Sequence, residues 1–443
     1  MASACGLCGA IAPGDELAEV GWLDQKVLDR LTHAHPTWKR DDGACPACVQ
    51  EALLELLLES GAEALQAGVQ RVWPLDAEAA FGAIPTPLRM QADPRFRGRG
   101  VTLALVDAAF YPHRDLVRSR NRVRAWADAS RSPIATRQFG PREVPYWPGW
   151  NAGDPYQWHG LMTSAAAAGN GSLSHGLYRG LASEADVVLV QVREPDGHIG
   201  NRSITRALRW LAHNAEELGL RVVNLSVAGD PVTPLIGNSV DEAVAELVAQ
   251  GVVVVAASGN DGVRKLVPPA TAPQALSIGG LDDKNTFAPQ DLELWHSNYG
   301  ESASGALKPE LVAPSLWVVA PVLPGTPLAE EALELFARRA EGDAGAEARI
   351  AALKLVTPHY QHVEGTSFAA PLVASTVACM LEAAPALTPA DVREILTESA
   401  EPVPGAPPER QGAGALNAGR AVAFARERSN GKEATETQRH REH

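Results

Sequence analysis

The 443-residue sequence lacks the features of a membrane-spanning or exported chain. It contains no run of about 18 apolar residues, the length that indicates a membrane span. The segment from Met1 to Cys8 has neither the basic start nor the apolar stretch of a signal peptide. The sequence therefore predicts a cytoplasmic protein that has no membrane partner.

Positive charge is also scarce. Lys and Arg number 39 against 53 Asp and Glu, which gives a formal net charge of −14. This balance argues against a broad nucleic-acid interface, because such an interface needs a basic surface. One local exception is the alternating arginine run from Arg118 to Arg124, preceded by Arg114 and typical of one face of an exposed strand. The run has no interleaved aromatic residues, so we expect no nucleic-acid partner there either.

Cysteine is rare, and four of the five cysteines form two C-x-x-C pairs. The pairs are Cys5 with Cys8 and Cys45 with Cys48, whereas Cys379 lies alone in an apolar stretch. Disulfides are disfavoured in a reducing compartment, and two-residue spacing lets both thiolates of a pair bind one tetrahedral ion. The sequence therefore predicts a structural Zn²⁺ bound by the four paired cysteines, with Cys379 as a small core residue.

Residues 1–62 are predicted to form this zinc-binding module. The second pair leads into Val49–Leu58, a stretch of high helix propensity, and a knuckle followed by a helix is typical of a treble clef or zinc ribbon. His33 and His35 lie between the pairs and are alternative ligands, although four thiols make them more typical of loop histidines. Unrelated buried or redox-active cysteines are the other interpretation. Residues 63–96 contain several prolines and indicate a linker.

From Gly98 onward, short apolar runs alternate with helical segments. The predicted strands are Val101–Val106, Asp186–Val192, Val222–Ser226 and Val252–Ala257, and the predicted helices include Ile204–Leu218 and Val240–Ala249. Continuous apolar strands between helices indicate an α/β fold with a doubly wound parallel sheet that is covered on both faces. Active sites in such sheets form beyond the carboxyl ends of strands, where Asp107 and Asn260 lie.

Two further positions have the local sequence that nucleophilic catalysis requires. His159 begins an Ala-rich helix, and Ser367 follows Gly365 at the start of another helix of small residues. A serine at that position benefits from the positive end of the helix dipole when an oxyanion develops. Asp107, His159 and Ser367 stand in the chain order of the subtilisin triad, and Asn260 offers a side-chain donor for an oxyanion hole.

The stretch from about Gly98 to Val422 resembles a subtilase, a subtilisin-like serine peptidase of family S8. Several sequence blocks carry the resemblance, and they occur in the order that the family has. In chain order they are Gly98–Asp107, His113–Leu116, His159–Gly160, Asn224–Gly229, Asn260, Ser297–Gly300, Lys308–Pro314, Gly365–Pro371 and Gly414–Ala418. The implied fold is a subtilisin-like peptidase domain at residues 97–425, joined to the small N-terminal module.

The resemblance implies a role for each candidate residue. Ser367 would be the nucleophile, His159 the general acid and base, Asp107 the orienting carboxylate and Asn260 the oxyanion donor. Residues of two segments would bind substrate, the first by pairing with peptide backbone and the second along the S1 side: Ser226, Val227, Ala228 and Gly229, then Ala257, Ser258 and Gly259. The expected function is that of an intracellular serine endopeptidase acting on proteins or peptides.

This sequence departs from the family pattern beside the triad. Ala108 and Ala109 follow Asp107 where the family usually has Ser or Thr and then Gly, and Leu161 stands where Thr is usual. Neither change removes a catalytic atom. The alternative interpretation is a catalytically degenerate subtilase that binds peptides along the same edge strand. Family members often bind calcium, but no acidic loop here has the ligand spacing of a calcium site.

Four other segments have interpretations of their own. The insert at 324–357 contains two amphipathic stretches and is either a regulatory lid or a packing insert. The aromatic cluster from Tyr146 to Trp158 either lines a substrate cleft or is buried. Ile84–Pro87 is a candidate inhibitory segment, and the N-terminal module is a candidate site for a protein partner. The tail at 426–443 is charged and poor in apolar residues, which predicts disorder.

Overall fold

The computed structural model describes residues 2–9, 11–13, 25–60, 83–145, 156–231, 238–286, 289–302 and 304–441. Four predictions fall partly outside these ranges: the zinc-binding module at residues 1, 10, 14–24 and 61–62, the linker over 63–82, the aromatic cluster over 146–155 and the last two residues of the tail.

The described strands, in chain order, are β1 (Ala2–Ala4), β2 (Ile11–Pro13), β3 (Thr102–Asp107), β4 (Val123–Asp128), β5 (Ala135–Gln138), β6 (Asp186–Gln191), β7 (Leu220–Leu225), β8 (Val253–Ala257), β9 (Leu276–Asp282), β10 (Glu293–Leu294), β11 (Gly300–Glu301), β12 (Leu307–Lys308), β13 (Leu311–Pro314), β14 (Val318–Pro321), β15 (Leu355–Thr357) and β16 (Tyr360–Val363).

The described α-helices, in chain order, are α1 (Gln25–Ala34), α2 (Pro46–Ser60), α3 (Thr86–Arg89), α4 (Arg114–Val117), α5 (Gln157–Ala168), α6 (Asn201–Leu218), α7 (Ser239–Ala249), α8 (Pro327–Ala340), α9 (Ala344–Ala352), α10 (Thr366–Ala383), α11 (Pro389–Ser399), α12 (Pro408–Gln411) and α13 (Ala418–Arg441).

A large, mostly parallel sheet organises the molecule and confirms the predicted α/β class. Its strand order is β10-β9-β8-β7-β3-β6-β4-β5, with β13 also paired to β9. The pairs β3 with β6, β3 with β7, and β7 with β8 are parallel, so these strands end at the same edge. The strands β3, β6, β7 and β8 cover the four predicted apolar runs to within a residue or two at each end.

Apolar helices cover both faces of this sheet. On one face α10 and α5 pack together with residues such as Leu103, Leu105 and Val255. On the other face α6 and α7 bury stripes at helical spacing, including Ile204, Leu208 and Leu211 of α6. Among the described helices, α10 is long and apolar enough to cross a membrane, but 83% of it is buried inside this fold.

The N-terminal module packs directly on the peptidase domain. Helix α2 buries Val49 and Leu53 in a cluster that also contains Ile84 and Leu88 from the region predicted as a linker. Residues 83–93 therefore belong to the folded core, because their apolar side chains are buried between the two units. Ile84–Pro87 is buried, and the Ile84 N–H donates to the Asn285 side chain at 2.9 Å. These contacts make the stretch part of the folded structure, whereas the sequence indicated an inhibitory segment.

Arg89 of α3 anchors this stretch through a buried ion pair. Its guanidinium lies 2.7 Å from the Asp283 carboxylate, and the two side chains are 2% and 7% exposed. The same guanidinium also donates to the carbonyl oxygens of Leu316 and Trp317. Two carbonyl acceptors besides the carboxylate satisfy the planar donor fork of arginine, which makes its burial tolerable.

Two other predictions need correction. The tail predicted as disordered from Arg426 is helical up to Arg441, because it continues α13, which begins on a segment that buries Ala421 and Ala425. The arginine run is not one exposed strand face. Strand β4 begins only at Val123, and Arg122 is 4% exposed because its guanidinium reaches backbone carbonyls.

The insert forms a compact unit of its own. Helices α8 and α9 confirm the two predicted amphipathic helices, and they bury Leu335 and Ile350 against each other and against Leu355 of β15. Strand β16 pairs with β14 and β15 and leads directly into Gly365. These contacts agree with the packing interpretation of the insert.

We expect the Arg89→Met variant to lower the free energy of unfolding by about 3 kcal/mol or more, because it leaves the Asp283 carboxylate buried and unpaired. The matched control is Arg99→Met. Arg99 lies 2.7 Å from Glu184, the same separation, but the two side chains are 73% and 36% exposed. An exposed pair contributes about 0–1 kcal/mol. Thermal and urea unfolding of both variants measures the difference, and equal effects would contradict the anchoring role of Arg89.

Candidate active site

Asp107 ends β3 as a buried carboxylate, 1% exposed. Its Oδ1 accepts from the Ala108 N–H (2.6 Å) and lies 2.7 Å from His159 Nδ1. An ionised carboxylate only accepts hydrogen bonds, so Nδ1 of the imidazole carries the proton and Nε2 keeps its lone pair. The structure therefore brings together two of the predicted site residues in the geometry that a general base needs.

His159 lies in the first turn of α5, which approaches the end of β3 closely. A Cβ atom at Gly160 would lie 2.0 Å from the Ala109 carbonyl oxygen, so only glycine permits this approach. The rings of Trp158 and Phe368 flank the imidazole, with centroids 5.1 and 5.8 Å away. Burial lowers the pKa of His159, but the charge and hydrogen bond of the Asp107 carboxylate more than offset this, and the net pKa is raised.

Thr163 is a site residue that the sequence reasoning missed. Its hydroxyl is buried one helical turn after His159 and donates to Asp107 Oδ2 at 2.8 Å. The two carboxylate oxygens are thus held by different donors, and α5 supplies the hydroxyl that holds the second oxygen. The i, i+4 spacing from His159 on an apolar helix is the signal that could have identified it.

Ser367 lies in the first turn of α10, after Gly365 with a φ of 128°. The proline at 371 has no N–H to bond the Ser367 carbonyl, since that bond joins residues four apart. Instead the Ser226 hydroxyl donates to this carbonyl at 2.8 Å, and Asn224 Nδ2 in turn donates to the Ser226 hydroxyl at 2.9 Å. The end of β7 therefore holds the backbone of the candidate nucleophile.

Asn260 lies exposed in the loop after β8, and its amide orientation is fixed by Thr366. The Thr366 N–H and hydroxyl both donate to Asn260 Oδ1, at 3.0 and 2.7 Å. A backbone N–H can only donate, so the atom that faces it must be the oxygen. The Nδ2 group is then directed toward Gly365, where a Cβ would lie 3.4 Å from it. This leaves an amide donor beside the start of α10.

The predicted substrate-binding residues differ in exposure. Ser226 and Val227 are buried, Ala228 is exposed, and the Gly229 N–H donates to the Pro268 carbonyl at 2.8 Å. The Ser226 side chain contacts the candidate nucleophile's backbone, which is a positioning contact in addition to any contact with substrate. In the second segment Ser258 is buried, while its neighbours at 257 and 259 are half-buried beside Asn260.

A cavity of about 440 Å³ adjoins His159 and Ser367. Its lining is largely aromatic and apolar, with contributions from Trp158, Met162, Trp317 and Phe368. Lys354 and Glu364 also line it and lie 3.5 Å apart. A space of this volume and lining can hold an apolar side chain next to the reactive groups.

The four paired cysteines meet at one place in the N-terminal module. Their sulfur atoms all lie within 4.8 Å of one another, and Cys8 Sγ and Cys45 Sγ are 3.6 Å apart. Tetrahedral ligation with Zn–S bonds of about 2.3 Å requires sulfurs about 3.8 Å apart, so the set fits a metal ion. The Cys45 N–H also lies 3.3 Å from Cys5 Sγ as a donor to a thiolate.

The other candidate ligands lie outside this cluster. In the described part of the chain, the four-thiol group does not include His33 or His35. Cys379 is buried in the α10 core, where burial raises the pKa of its thiol to about 12. This confirms the prediction that Cys379 is a core residue.

Comparison with known proteins agrees with the fold. The model of the subtilase family (peptidase S8) matches residues 98–414. Serine protease AprX of Bacillus subtilis is 28% identical over 338 residues, which cover 73% of this chain and 66% of that protein. Subtilisin BL of Lederbergia lenta is 29% identical over 191 residues, 43% of this chain and 59% of that protein. The chain thus spans less than two thirds of the length of these curated relatives.

Solved structures show the same fold at low sequence identity. The prenylagaramide maturation protease PagA superposes with a TM-score of 0.51 at 18% identity, covering 77% of this chain and 99% of that chain. A protease of Pseudoalteromonas arctica PAMC 21717 gives a TM-score of 0.53 at 20% identity, covering 82% and 98%. Since the family model covers most of the sequence and the sheet is of the subtilisin type, this chain belongs to the subtilase family.

Proposed function

We propose that this chain is an intracellular serine endopeptidase whose triad is Asp107, His159 and Ser367, with Asn260 as the oxyanion donor. The observation that carries the proposal is the bond between Asp107 and His159 at the edge where Ser367 begins α10. The residues on either side of Ser367 make further contacts within the site: the ring of Phe368 packs on His159, and Thr366 orients Asn260. These contacts support the proposal that His159 activates Ser367.

The proposed mechanism uses the lone pair of His159 Nε2 and the Nδ2 group of Asn260. His159 Nε2 accepts the Ser367 proton as the hydroxyl attacks the peptide carbonyl, and Asp107 stabilises the imidazolium that forms. The developing oxyanion accepts from Asn260 Nδ2 and lies at the positive end of α10. His159 then returns the proton to the leaving amine, and water hydrolyses the acyl-enzyme by the same route in reverse.

The proposed substrate is an extended protein or peptide segment. Ala228 is exposed beyond the end of β7, next to the Ser226 hydroxyl that holds Ser367 in place. A peptide added along this edge would pair through its backbone, which requires no particular side chain. The aromatic cavity beside His159 would then accept an apolar side chain near the scissile bond.

We also propose that the metal of the N-terminal module is Zn²⁺ in a structural role. Four sulfur ligands complete a tetrahedral shell and leave no position for substrate, which is typical of structural sites. When bound, the ion would join α2 to the preceding knuckle. A cluster of four cysteines arranged to bind a metal also suits a reducing compartment, which supports the proposed cytoplasmic location. A protein partner that docks on the module could then deliver substrates to the peptidase domain.

The geometry favours catalysis over the degenerate, binding-only alternative. The departures at Ala108 and Leu161 remove hydroxyl groups that the family usually has near the triad. Thr163 supplies a hydroxyl to the free oxygen of Asp107, so the carboxylate remains fully bonded. A protein that only binds peptides has no need of a buried, oriented aspartate beside a histidine.

Ser367→Ala is expected to abolish peptide hydrolysis without loss of thermal stability, since the side chain is small and its backbone carbonyl still accepts from Ser226. The measurement is a peptide-library digest of wild type and variant, together with fluorophosphonate labelling. A fluorophosphonate reacts with an activated serine only, so wild type should be labelled and the variant should not. Hydrolysis retained by the variant would refute the assignment of the nucleophile.

Thr163→Val is expected to lower kcat about tenfold or more with little change in KM, because a hydrogen bond to a charged group contributes about 1.5–3 kcal/mol. His159 must be neutral to act as a base, so activity falls as pH drops below its pKa. Loss of the hydroxyl leaves Asp107 more basic, which raises that pKa further and shifts the acid limb of kcat/KM to higher pH. Thr163→Ser is the matched control because it keeps the hydroxyl. Its kcat and the pH of its acid limb should match those of the wild type.

The purified full chain is expected to contain about one zinc ion per molecule by mass spectrometry of the metals. Cys8→Ser and Cys45→Ser should each reduce this content and lower the thermal midpoint, since metal binding contributes to folding. Cys379→Ala is the control that removes a cysteine outside the cluster and should retain the metal. Equal zinc in all three variants would mean that the four sulfurs are not the ligands.

A further inference from the structure

A second and larger cavity lies where the N-terminal module meets the peptidase domain. Its volume is about 790 Å³, within the range of small-molecule sites. Helix α2 contributes one wall, including Cys48 and Glu51, and the opposite wall comes from the arginine run and from residues around Arg179. None of these residues takes part in the proposed catalytic mechanism.

The lining of this cavity is mainly positive, although the chain as a whole is negative. The protein carries a net charge of −14, yet seven arginines and only three glutamates line this space. Three of the arginines, Arg118, Arg120 and Arg122, come from the run that stands out in the sequence. Concave walls of one sign concentrate counter-ions of the opposite sign.

The carboxylates present are too few to neutralise these arginines. Glu51 is shared, because it lies 2.8 Å from the Arg97 guanidinium and 3.2 Å from that of Arg179. Asp186 is shared in the same way, between Arg120 at 2.5 Å and Arg124 at 3.2 Å. Each of these two carboxylates therefore balances only one of the two cations that it contacts. Of the remaining lining glutamates, Glu184 pairs with Arg99 at 2.7 Å and Glu55 with Arg30 at 3.8 Å, which still leaves the lining with more arginines than carboxylates.

Two arginines of the run lack a carboxylate altogether among the described residues. Arg122 is 4% exposed, and its guanidinium donates to the backbone carbonyls of Ala185 and Asp115. Burial, and to a smaller extent the neighbouring Arg120, lower the pKa of Arg122 to about 10. Arg118 is exposed at the rim and makes no ion pair within the described ranges.

We propose that this cavity binds a small ligand that carries a phosphate or diphosphate group. Several guanidinium forks that converge on one space match the multiple oxygens and the double charge of a phosphate better than they match a single carboxylate. The volume exceeds that of a bare ion and leaves room for an organic portion. The acidic surface of the rest of the chain disfavours a long polyanion such as a nucleic acid.

A ligand in this position would contact both structural units at once. The module contributes α2, and the peptidase domain contributes the arginines that precede β4. A molecule that binds only the assembled cavity stabilises the folded chain in proportion to the logarithm of its concentration. The site is therefore expected to couple ligand concentration to the attachment of the module.

The test is isothermal titration calorimetry of the full chain with inorganic pyrophosphate and, separately, with adenosine diphosphate. We expect one saturable site and a higher thermal midpoint with either probe. Arg118→Gln combined with Arg120→Gln should weaken binding at least tenfold. Arg114→Gln is the matched control, because Arg114 belongs to the same run and is exposed but does not line the cavity.

The two probes distinguish the source of the phosphate. Tighter binding of adenosine diphosphate identifies a phosphate ester as the ligand class, and equal binding identifies the free anion. The proposal is overturned if neither probe saturates, if the double variant binds as wild type does, or if Arg114→Gln weakens binding equally, since the last result indicates unspecific attraction. None of these readouts depends on peptidase activity.

Discussion

The burial of one negative charge governs the architecture of the candidate active site. Asp107 ends a central strand with almost no exposure to solvent, and a buried carboxylate requires donors around it. The donors are the next backbone N–H, the imidazole of His159 and the hydroxyl of Thr163. Two of these come from α5, so the charge fixes how α5 lies against the sheet, and Gly160 removes the side chain that would prevent it.

A comparable constraint acts at the start of α10. Proline inside a helix leaves one carbonyl without its usual partner, and here that carbonyl belongs to Ser367. The Ser226 hydroxyl takes the place of the missing donor, which joins the candidate nucleophile to the end of β7. The Thr366 hydroxyl in turn donates to the side-chain oxygen of Asn260 and so fixes its orientation. The reactive groups thus depend on short bonds that join the ends of β3 and β7 and the loop after β8 to the first turns of α5 and α10.

Much of this arrangement was predictable from the sequence, and the failures have physical causes. The strands β3, β6, β7 and β8 are unbroken apolar runs, which is why they were found. Strand β9 was missed because the glycines at 279 and 280 lower its strand propensity, and β4 was predicted too early and as exposed because the arginines alternate from Arg118 to Arg124. The candidate triad was found from its motifs, but Thr163 was not, since its role depends on a tertiary contact outside those motifs.

Predictions from local composition also differ from the structure in the segments that flank the peptidase domain. Prolines near Ile84 indicated a linker, whereas the structure uses them to enter and shape a short buried helix. The charge of the C-terminal tail indicated disorder, although the tail continues α13, whose first turns bury Ala421 and Ala425 against the core. In both cases a few apolar contacts outweigh composition, because each contact is made with an element far away in the sequence.

The Arg89 anchor has a consequence for where this protein can be divided. The family match begins at residue 98, which makes that position a natural choice for isolating the peptidase domain. A fragment cut there would lose Arg89 while keeping Asp283, whose carboxylate would then stay inside the protein without its cation. The part of the chain that matches the family is therefore smaller than the part that folds as one unit. Loss of activity in such a fragment would not show whether the removed N-terminal residues inhibit the peptidase domain.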